Sequence, residues 1–225
     1  MLEFLSVDTV MLTVLGYPMS WIEFFGTVFN LWCVWLVAKN RVLNWPVGIV
    51  GILLFGALFW QIRLYADLFE QVYFFVTSLW GWWVWLHPRS AGETDIRGEL
   101  AISGLNRRGY AVYGVVLAVG TVVLTFVTMH LHQWLPGYFP EAASYPLLDS
   151  FTTVMSFAAT VLMVRRKIES WHLWIAVDII GIGLYWAKDV HLVSLLYAVF
   201  LVNAVNGLIR WSREHRARIP AVQHT

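Results

Sequence analysis

The chain has 225 residues, of which 59% are hydrophobic and 13% are charged, and its formal net charge at pH 7 is +1. This composition lies far from the balance of a soluble domain. A soluble protein that exposed this much Trp and Phe would aggregate, so we predict a membrane protein.

The apolar residues gather into seven stretches that are long enough to cross a bilayer. Each has about 17–20 residues, which at a rise of 1.5 Å per residue matches a hydrocarbon core of about 30 Å. In chain order the predicted spans are Trp21–Ala38, Trp45–Ile62, Leu68–Leu86, Tyr110–Met129, Leu148–Val164, Trp171–Ala187 and Leu192–Ile209. Tryptophans near span ends are expected at the headgroup level: Trp21, Trp45, Trp60, Trp85, Trp134, Trp171, Trp186 and Trp211.

Spans 1–3 and spans 5–7 are similar to each other at a constant offset of 126 residues. Trp45 recurs as Trp171, Gly81 as Gly207 and Trp85 as Trp211. Because span 4 separates two units of three spans, the copies run in the same direction, related by a pseudo-twofold axis along the membrane normal. We therefore predict an all-α membrane protein with seven helices in a 3+1+3 parallel-repeat arrangement, as in the SWEET sugar carriers.

The positive charges predict the orientation of the spans. Alternating spans place 13 of the 15 Lys and Arg residues on one face and only Arg63 and Lys188 on the other. The positive-inside rule then puts the N-terminus outside and the C-terminus in the cytoplasm. The predicted segments are 1–20 on the outer surface, 21–86 as the first triple-helix repeat, 87–146 as cytoplasmic connector, linker helix 4 and outer loop, 147–211 as the second repeat, and 212–225 as a cytoplasmic tail.

A carboxylate inside span 6 is the strongest candidate for a binding residue. Asp178 lies well within the apolar stretch, where a charge costs about 2.5–3.5 kcal/mol and should face the bundle interior or a water-filled cavity. Trp171, Trp174 and Tyr185 lie on the same helical face. Three aromatic rings around one anion suit a flat cationic ring through stacking, cation–π attraction and charge pairing.

Other polar and aromatic residues extend this candidate site. They are Trp45, Gln71, Phe74, Asn203 and Asn206. The first repeat has Gly48, Gly51 and Ile52 where the second has Trp174, Val177 and Asp178. This asymmetry predicts a single substrate pocket.

A protein with seven spans could have one of three other functions. A retinal protein needs a lysine deep in the last span, and Leu192–Ile209 has none. His130 and His132 lie about 200° apart on a helix and form a poor metal pair, so we expect neither an enzyme nor a cofactor. A proton-coupled transporter remains open through Glu23, Glu70 or Asp178.

The sequence resembles the PnuC family of bacterial vitamin transporters over nearly its whole length. The similarity is most specific at Trp171-x-x-Trp174 with Asp178, at Leu64-Tyr65-Ala66 with Gln71-Val72, and at Asn206-Gly207. The resemblance implies a SWEET-like homotrimer in the bacterial inner membrane, carrying nicotinamide riboside by facilitated diffusion, with Trp171, Trp174 and Asp178 as ring and ribose contacts.

The resemblance also implies partners and alternative substrates. A cytoplasmic kinase traps the vitamin by phosphorylation, without required contact; the lipid bilayer is the other partner, and no nucleic acid is expected. Relatives of the family carry thiamine or riboflavin, so both stay open as substrates. The candidate pocket has no cluster of Arg or Lys, which predicts rejection of a phosphorylated substrate.

Overall fold

The structure is a computed structural model that describes residues 5–14, 16–63, 65–88, 93–137, 139, 142–143, 145–187 and 191–222. Leu64, Arg89 and Lys188, which entered the family resemblance and the charge count, lie outside the described residues.

A β-hairpin precedes the first helix. Strands β1 (Val10–Val14) and β2 (Tyr17–Ser20) pair antiparallel, and Gly16 adopts a φ of +86° at the turn, which a glycine tolerates best. The described part of the expected surface segment therefore contains a strand pair. Helix α1 begins directly after it, because Ser20 and Glu23 form a capping box. Tyr17 donates to Glu23 Oε1 at 2.6 Å, and this bond, with burial and the Glu23 charge, raises the pKa of Tyr17 to about 12.

Seven α-helices follow, and most of them begin and end within three residues of the predicted spans. They are α1 (Trp21–Ala38), α2 (Asn44–Gln61), α3 (Tyr65–Leu86), α4 (Arg107–Trp134), α5 (Pro146–Val164), α6 (Glu169–Ala187) and α7 (His191–Val222). Helices α4 and α7 continue well beyond the predicted spans, with 28 and 32 residues. Five of the seven are long and apolar enough to cross a membrane; α3 and α6 fall short because they carry acidic residues and many Trp and Tyr.

Six of the helices form a ring. In order around it are α1, α2, α3, α5, α6 and α7, with α7 packed back against α1, while α4 packs along α5 on the outside. One end of the ring holds a group of buried tryptophans: Trp45, Trp85, Trp171 and Trp211. Trp85 Nε1 donates to the carbonyls of Met163 and Val164, and Trp211 Nε1 donates to that of Val37. The C-terminal ends of α1, α3 and α5 therefore lie together with the part of α7 around Trp211.

The four tryptophans are buried in the protein and do not face the headgroups as anchors, contrary to the expectation for span ends. Each indole is at most 5% exposed, because it packs into the core at this end of the helix ring. Trp60, Trp134 and Trp186 are 65%, 53% and 64% exposed and fit the expectation. Position near a span end thus does not distinguish an anchoring tryptophan from a packed one.

The segment between α3 and α4 caps this end of the ring. Ala101 and Ile102 are buried. The Ser103 N–H donates to the Arg166 carbonyl and the Ser103 carbonyl accepts from the Ile168 N–H, so the segment pairs with the loop between α5 and α6. Short backbone ties and buried apolar side chains make the connector part of the packed structure.

Candidate functional site

Asp178 lies on the inward face of α6, near the middle of that helix. It is the tenth of 19 residues and is 4% exposed, between the buried Val177 and Gly181. In the part of the chain that the structure describes, no hydrogen bond or ion pair engages its carboxylate. A buried charge without a partner is costly, so this position is suited to a cationic or hydrogen-bonding ligand.

Two tyrosines lie near Asp178: Tyr185 two turns further along α6, and Tyr197 on α7 opposite Gly181. Tyr185 and Tyr197 stack with ring centroids 5.3 Å apart and an interplanar angle of 21°. A Cβ atom at Gly181 would lie 2.5 Å from the Tyr197 ring, so glycine is what lets α7 bring this ring against α6. Because Gly181 is three residues from Asp178 on the same face, the stacked rings flank the carboxylate.

Trp171 and Trp45 have equivalent environments. Trp171 packs on Gly207, where an added Cβ would lie 2.5 Å from the ring, and meets Trp211 edge-on at 5.4 Å. Trp45 packs on Gly81 in the same way and meets Trp85 edge-on at 5.2 Å. Both indole N–H groups are buried and have no acceptor among the described residues. Their rings are structural, and a ligand could reach either N–H group only after the surrounding side chains move.

The remaining aromatic and amide candidates lie on several helices. Trp174 is half-buried against the tryptophan core. Phe74 contacts Phe157 of α5 edge-on at 6.2 Å. Gln71 is half-buried, and its Cβ lies 3.8 Å from the position of a Cβ at Gly56 of α2.

Asn203 and Asn206 do not share the surface that carries Asp178. They line a cavity of about 570 Å³ between α1 and α7, together with Lys39, Arg210 and others. The inward face of α7 carries Ala204 instead, which is 1% exposed. Similar depth in the membrane placed these amides near Asp178 in the sequence-based prediction, but helical phase turns them elsewhere.

Charged residues gather where the connector covers the ring. Arg166 is fully buried, donates to Glu99 Oε2 at 2.7 Å and to the Leu100 carbonyl, and lies 4.0 Å from the Trp85 ring centre. Arg97 donates to the Asn40 carbonyl at 3.0 Å and lies 3.6 Å from Glu214. These bonds link the connector to the α1–α2 loop through Asn40, to the α5–α6 loop through Arg166, and to α7 through Glu214.

Asp95 belongs to the same group of charges. Burial acts to raise the pKa of its carboxyl, but backbone N–H groups of Glu99 and Arg97, together with the Arg97 guanidinium, outweigh burial. The pKa of Asp95 is therefore lower than its ordinary value of 3.8. The carboxylate is ionised and held in place at neutral pH.

Comparison with known proteins identifies the family. Residues 20–213 match the family model described as "Nicotinamide mononucleotide transporter". The chain belongs to the PnuC family. It is 30% identical to the nicotinamide riboside transporter PnuC of Escherichia coli (strain K12), over 96% of this chain and 97% of that protein. The structure of this PnuC-family chain also matches the crystal structure of the vitamin B3 transporter PnuC, with a TM-score of 0.64, 26% identity, and coverage of 88% of this chain and 83% of the other.

A second named function occurs among more distant relatives. The riboflavin/roseoflavin transporter RibM of Streptomyces davaonensis is 22% identical over 85% of this chain and 84% of its own length. The relatives are transporters, so this PnuC-family chain is a multi-pass membrane transporter and not an enzyme.

Sequence reasoning missed three residues of this PnuC-family chain that the structure brings forward. Tyr197 is the counterpart of Gln71 at the offset of 126 residues. The glycine at position 181 of α6 was the clue, because it leaves space for the Tyr197 ring of α7. Asn40 and Arg166 are also 126 residues apart, both buried and both at positive φ, 54° and 51°. Their shared position directly after α1 and α5 was the available clue.

Proposed function

We propose that this protein carries nicotinamide riboside across the bacterial inner membrane by facilitated diffusion, and that a cytoplasmic kinase traps the vitamin by phosphorylating it. The observation that carries the proposal is the buried Asp178 carboxylate, which has no partner in the described part of the chain, beside stacked tyrosines. Nicotinamide riboside offers a flat pyridinium ring for the Asp178 carboxylate and the stacked tyrosine rings, and hydroxyl groups for the half-buried Gln71 amide.

The proposed architecture is a 3+1+3 arrangement of parallel repeats, with the N-terminus outside and the C-terminus in the cytoplasm. Its support is the recurrence of particular contacts at the offset of 126 residues: the indole bonds of Trp85 and Trp211 and the positive φ of Asn40 and Arg166. The charge asymmetry of the loops supports the orientation. A homotrimer follows from the family resemblance.

A single pocket is favoured because the first repeat fills the corresponding space. A Cβ at Gly48 would lie 2.8 Å from Cys33 Sγ, and one at Gly51 would lie 3.0 Å from Asn30 Nδ2. Helices α1 and α2 thus pack closely where the second repeat carries Trp174 and Asp178. Asp178 has no acidic counterpart in the first repeat, where Ile52 stands at the equivalent position.

The charge of the pocket favours the riboside over the mononucleotide. Helices α3 and α6 contain no Lys or Arg, and Arg97 and Arg166 under the connector pair with acidic groups. A phosphate would therefore meet an anionic carboxylate without a compensating cation. Thiamine, also a flat cation, fits the same chemistry; riboflavin is neutral and gains nothing from the Asp178 charge.

Proton coupling is the alternative mechanism. The hydrogen bonds of Glu23 argue against a role for that residue. The Glu23 carboxylate accepts hydrogen bonds from Tyr17 Oη at 2.6 Å and from the Ser20 N–H and hydroxyl, both at 2.8 Å. A side chain held in a helix cap is poorly suited to relay protons. Glu70 and Asp178 remain the candidates for such coupling.

Proteoliposomes containing the purified protein test the transport mechanism. We expect labelled nicotinamide riboside to enter until its internal and external concentrations are equal, at the same rate with or without a pH gradient. Entrapped kinase and ATP should then allow continued accumulation of label. Accumulation above the external level driven by a pH gradient alone would contradict facilitated diffusion.

A further inference from the structure

A cleft with unpaired positive charges lies between the C-terminal end of α1 and the middle of α7. It is a cavity of about 570 Å³ that the sequence-based site did not anticipate. Its lining is formed by Trp35, Ala38, Lys39, Asn203, Asn206, Ile209, Arg210 and Arg213. We call it the α1–α7 cleft.

Three cations of the α1–α7 cleft lack an acidic partner within the described chain. Lys39 lies 3.8 Å from the ring centre of Trp35, and no ion pair reaches Arg210 or Arg213. Glu214, next in sequence, is engaged by Asn40 and Arg97 on the other side of α7. Lys39 also balances the dipole at the end of α1, but the two arginines, within α7, have no such role.

We propose that the α1–α7 cleft binds a phosphate group, carried by an anionic lipid. Like charges that share a cleft repel one another, and an oxyanion relieves this repulsion. Guanidinium groups bind phosphate through paired N–H donors, and the exposed Asn206 amide can supply another.

The position of the cleft favours a lipid over a free phosphate. The cations lie where the apolar part of α7 ends, and the neighbouring Trp35 and Ile209 side chains are 45% and 44% exposed. A basic pocket between helices at the headgroup level, bordered by apolar side chains, suits a phospholipid whose acyl chains run along the helices. The site is separate from the Asp178 surface, because Ala204 and Gly207 form the inward face of α7.

Native mass spectrometry of the detergent-purified protein can count bound lipid. The protein is titrated with phosphatidylglycerol, with phosphatidylcholine and, in a third arm, with inorganic phosphate. We compare the wild type with the Arg210→Gln/Arg213→Gln double variant and with Arg216→Gln, a matched control on the same helix that does not line the cleft. Lys39→Gln provides an independent variant from α1.

The wild type should bind phosphatidylglycerol more tightly than phosphatidylcholine. Loss of two cations should weaken phosphatidylglycerol binding about thirtyfold, while Arg216→Gln changes it less than about threefold. Binding of inorganic phosphate that the double variant loses, without any preference for phosphatidylglycerol, would overturn the assignment to a lipid. Equal binding of both lipids together with no phosphate binding, or a double variant that binds phosphatidylglycerol like the wild type, would overturn the proposal.

Discussion

Trp85 and Trp211 each donate an indole N–H to the opposite half of the chain, and each does so across the same end of the helix ring. Trp85 Nε1 lies 3.2 Å from the Met163 carbonyl, and Trp211 Nε1 lies 3.2 Å from the Val37 carbonyl. Donors and acceptors are both 126 residues apart. The last helix of each half is thereby tied to the first helix of the other.

Replacing either donor with phenylalanine should destabilise the protein to a similar extent. Trp85→Phe and Trp211→Phe each remove a buried indole hydrogen bond, which contributes about 0.5–1.5 kcal/mol. The Met163 and Val37 carbonyls keep backbone donors, the N–H groups of Arg166 and Asn40. Thermal unfolding in detergent should show both melting temperatures lowered. Trp60→Phe is the control, since Trp60 is 65% exposed. A loss no larger than that of the control would mean that these bonds do not hold the ends together.

Gly207 should not tolerate a methyl group. An alanine Cβ would lie 2.5 Å from the Trp171 ring, which is 1% exposed and enclosed by Trp211, so the ring has no space to move. We expect Gly207→Ala to lower the melting temperature although alanine is the better helix former by about 1 kcal/mol. Gly114 of α4 has no atom within 4 Å of an added Cβ, so Gly114→Ala should leave the melting temperature unchanged or raise it. Equal behaviour of the two variants would contradict the packing described for Trp171.

Acid should loosen the charged group under the connector. The pKa of Asp95 is lower in the folded protein than its ordinary value of 3.8, so its stabilising contribution is complete above that value and is lost as the pH falls through the folded pKa. Melting temperatures should therefore change little through this group between about pH 7 and pH 5 and fall below about pH 4.

The variant Asp95→Asn isolates that contribution. It should melt lower than the wild type at pH 7, because Arg97 and Arg166 lose a nearby carboxylate, and the gap should close in acid. Asp8→Asn, on the exposed hairpin segment, is the matched control and should melt like the wild type at pH 7. A gap that stays constant down to pH 3 would show that the Asp95 charge is not what stabilises the connector.

The periodicity of apolar residues was sufficient to predict the helices, because each span is a long run bounded by charges or turns. Helix α1 has the predicted ends, Trp21 and Ala38. The extensions of α4 and α7 were not predicted, because their polar turns lie beyond the apolar window that defines a span. The hairpin was missed because its short strands carry no long alternating pattern.

The candidate site was predictable only in part. A carboxylate in an apolar span is visible in the sequence, and Asp178 is indeed buried. Which face of α7 meets it depends on helical phase and on the close approach of Tyr197 to Gly181, neither of which depth alone determines. The same reason separates Asn203 and Asn206 from Asp178. Arg166 is buried because the connector between α3 and α4 covers it. The connector has no counterpart in the second repeat, so the repeat gave no indication of this contact.

We propose that the Asp178 carboxylate binds the cationic ring of the vitamin. Asp178→Asn keeps the size of the side chain and removes its charge, so the protein should fold and elute as the wild type does while losing affinity. Asp8→Asn makes the same chemical change on the exposed hairpin segment and should bind normally.

Calorimetric titration of wild-type protein, Asp178→Asn and Asp8→Asn with nicotinamide riboside is the most direct test, with thiamine and riboflavin titrated in parallel. We predict saturable binding of nicotinamide riboside by the wild type and by Asp8→Asn, and binding at least about tenfold weaker by Asp178→Asn, as expected for loss of a buried charge pair. Binding by Asp178→Asn within about threefold of the wild type would contradict the assignment of this carboxylate.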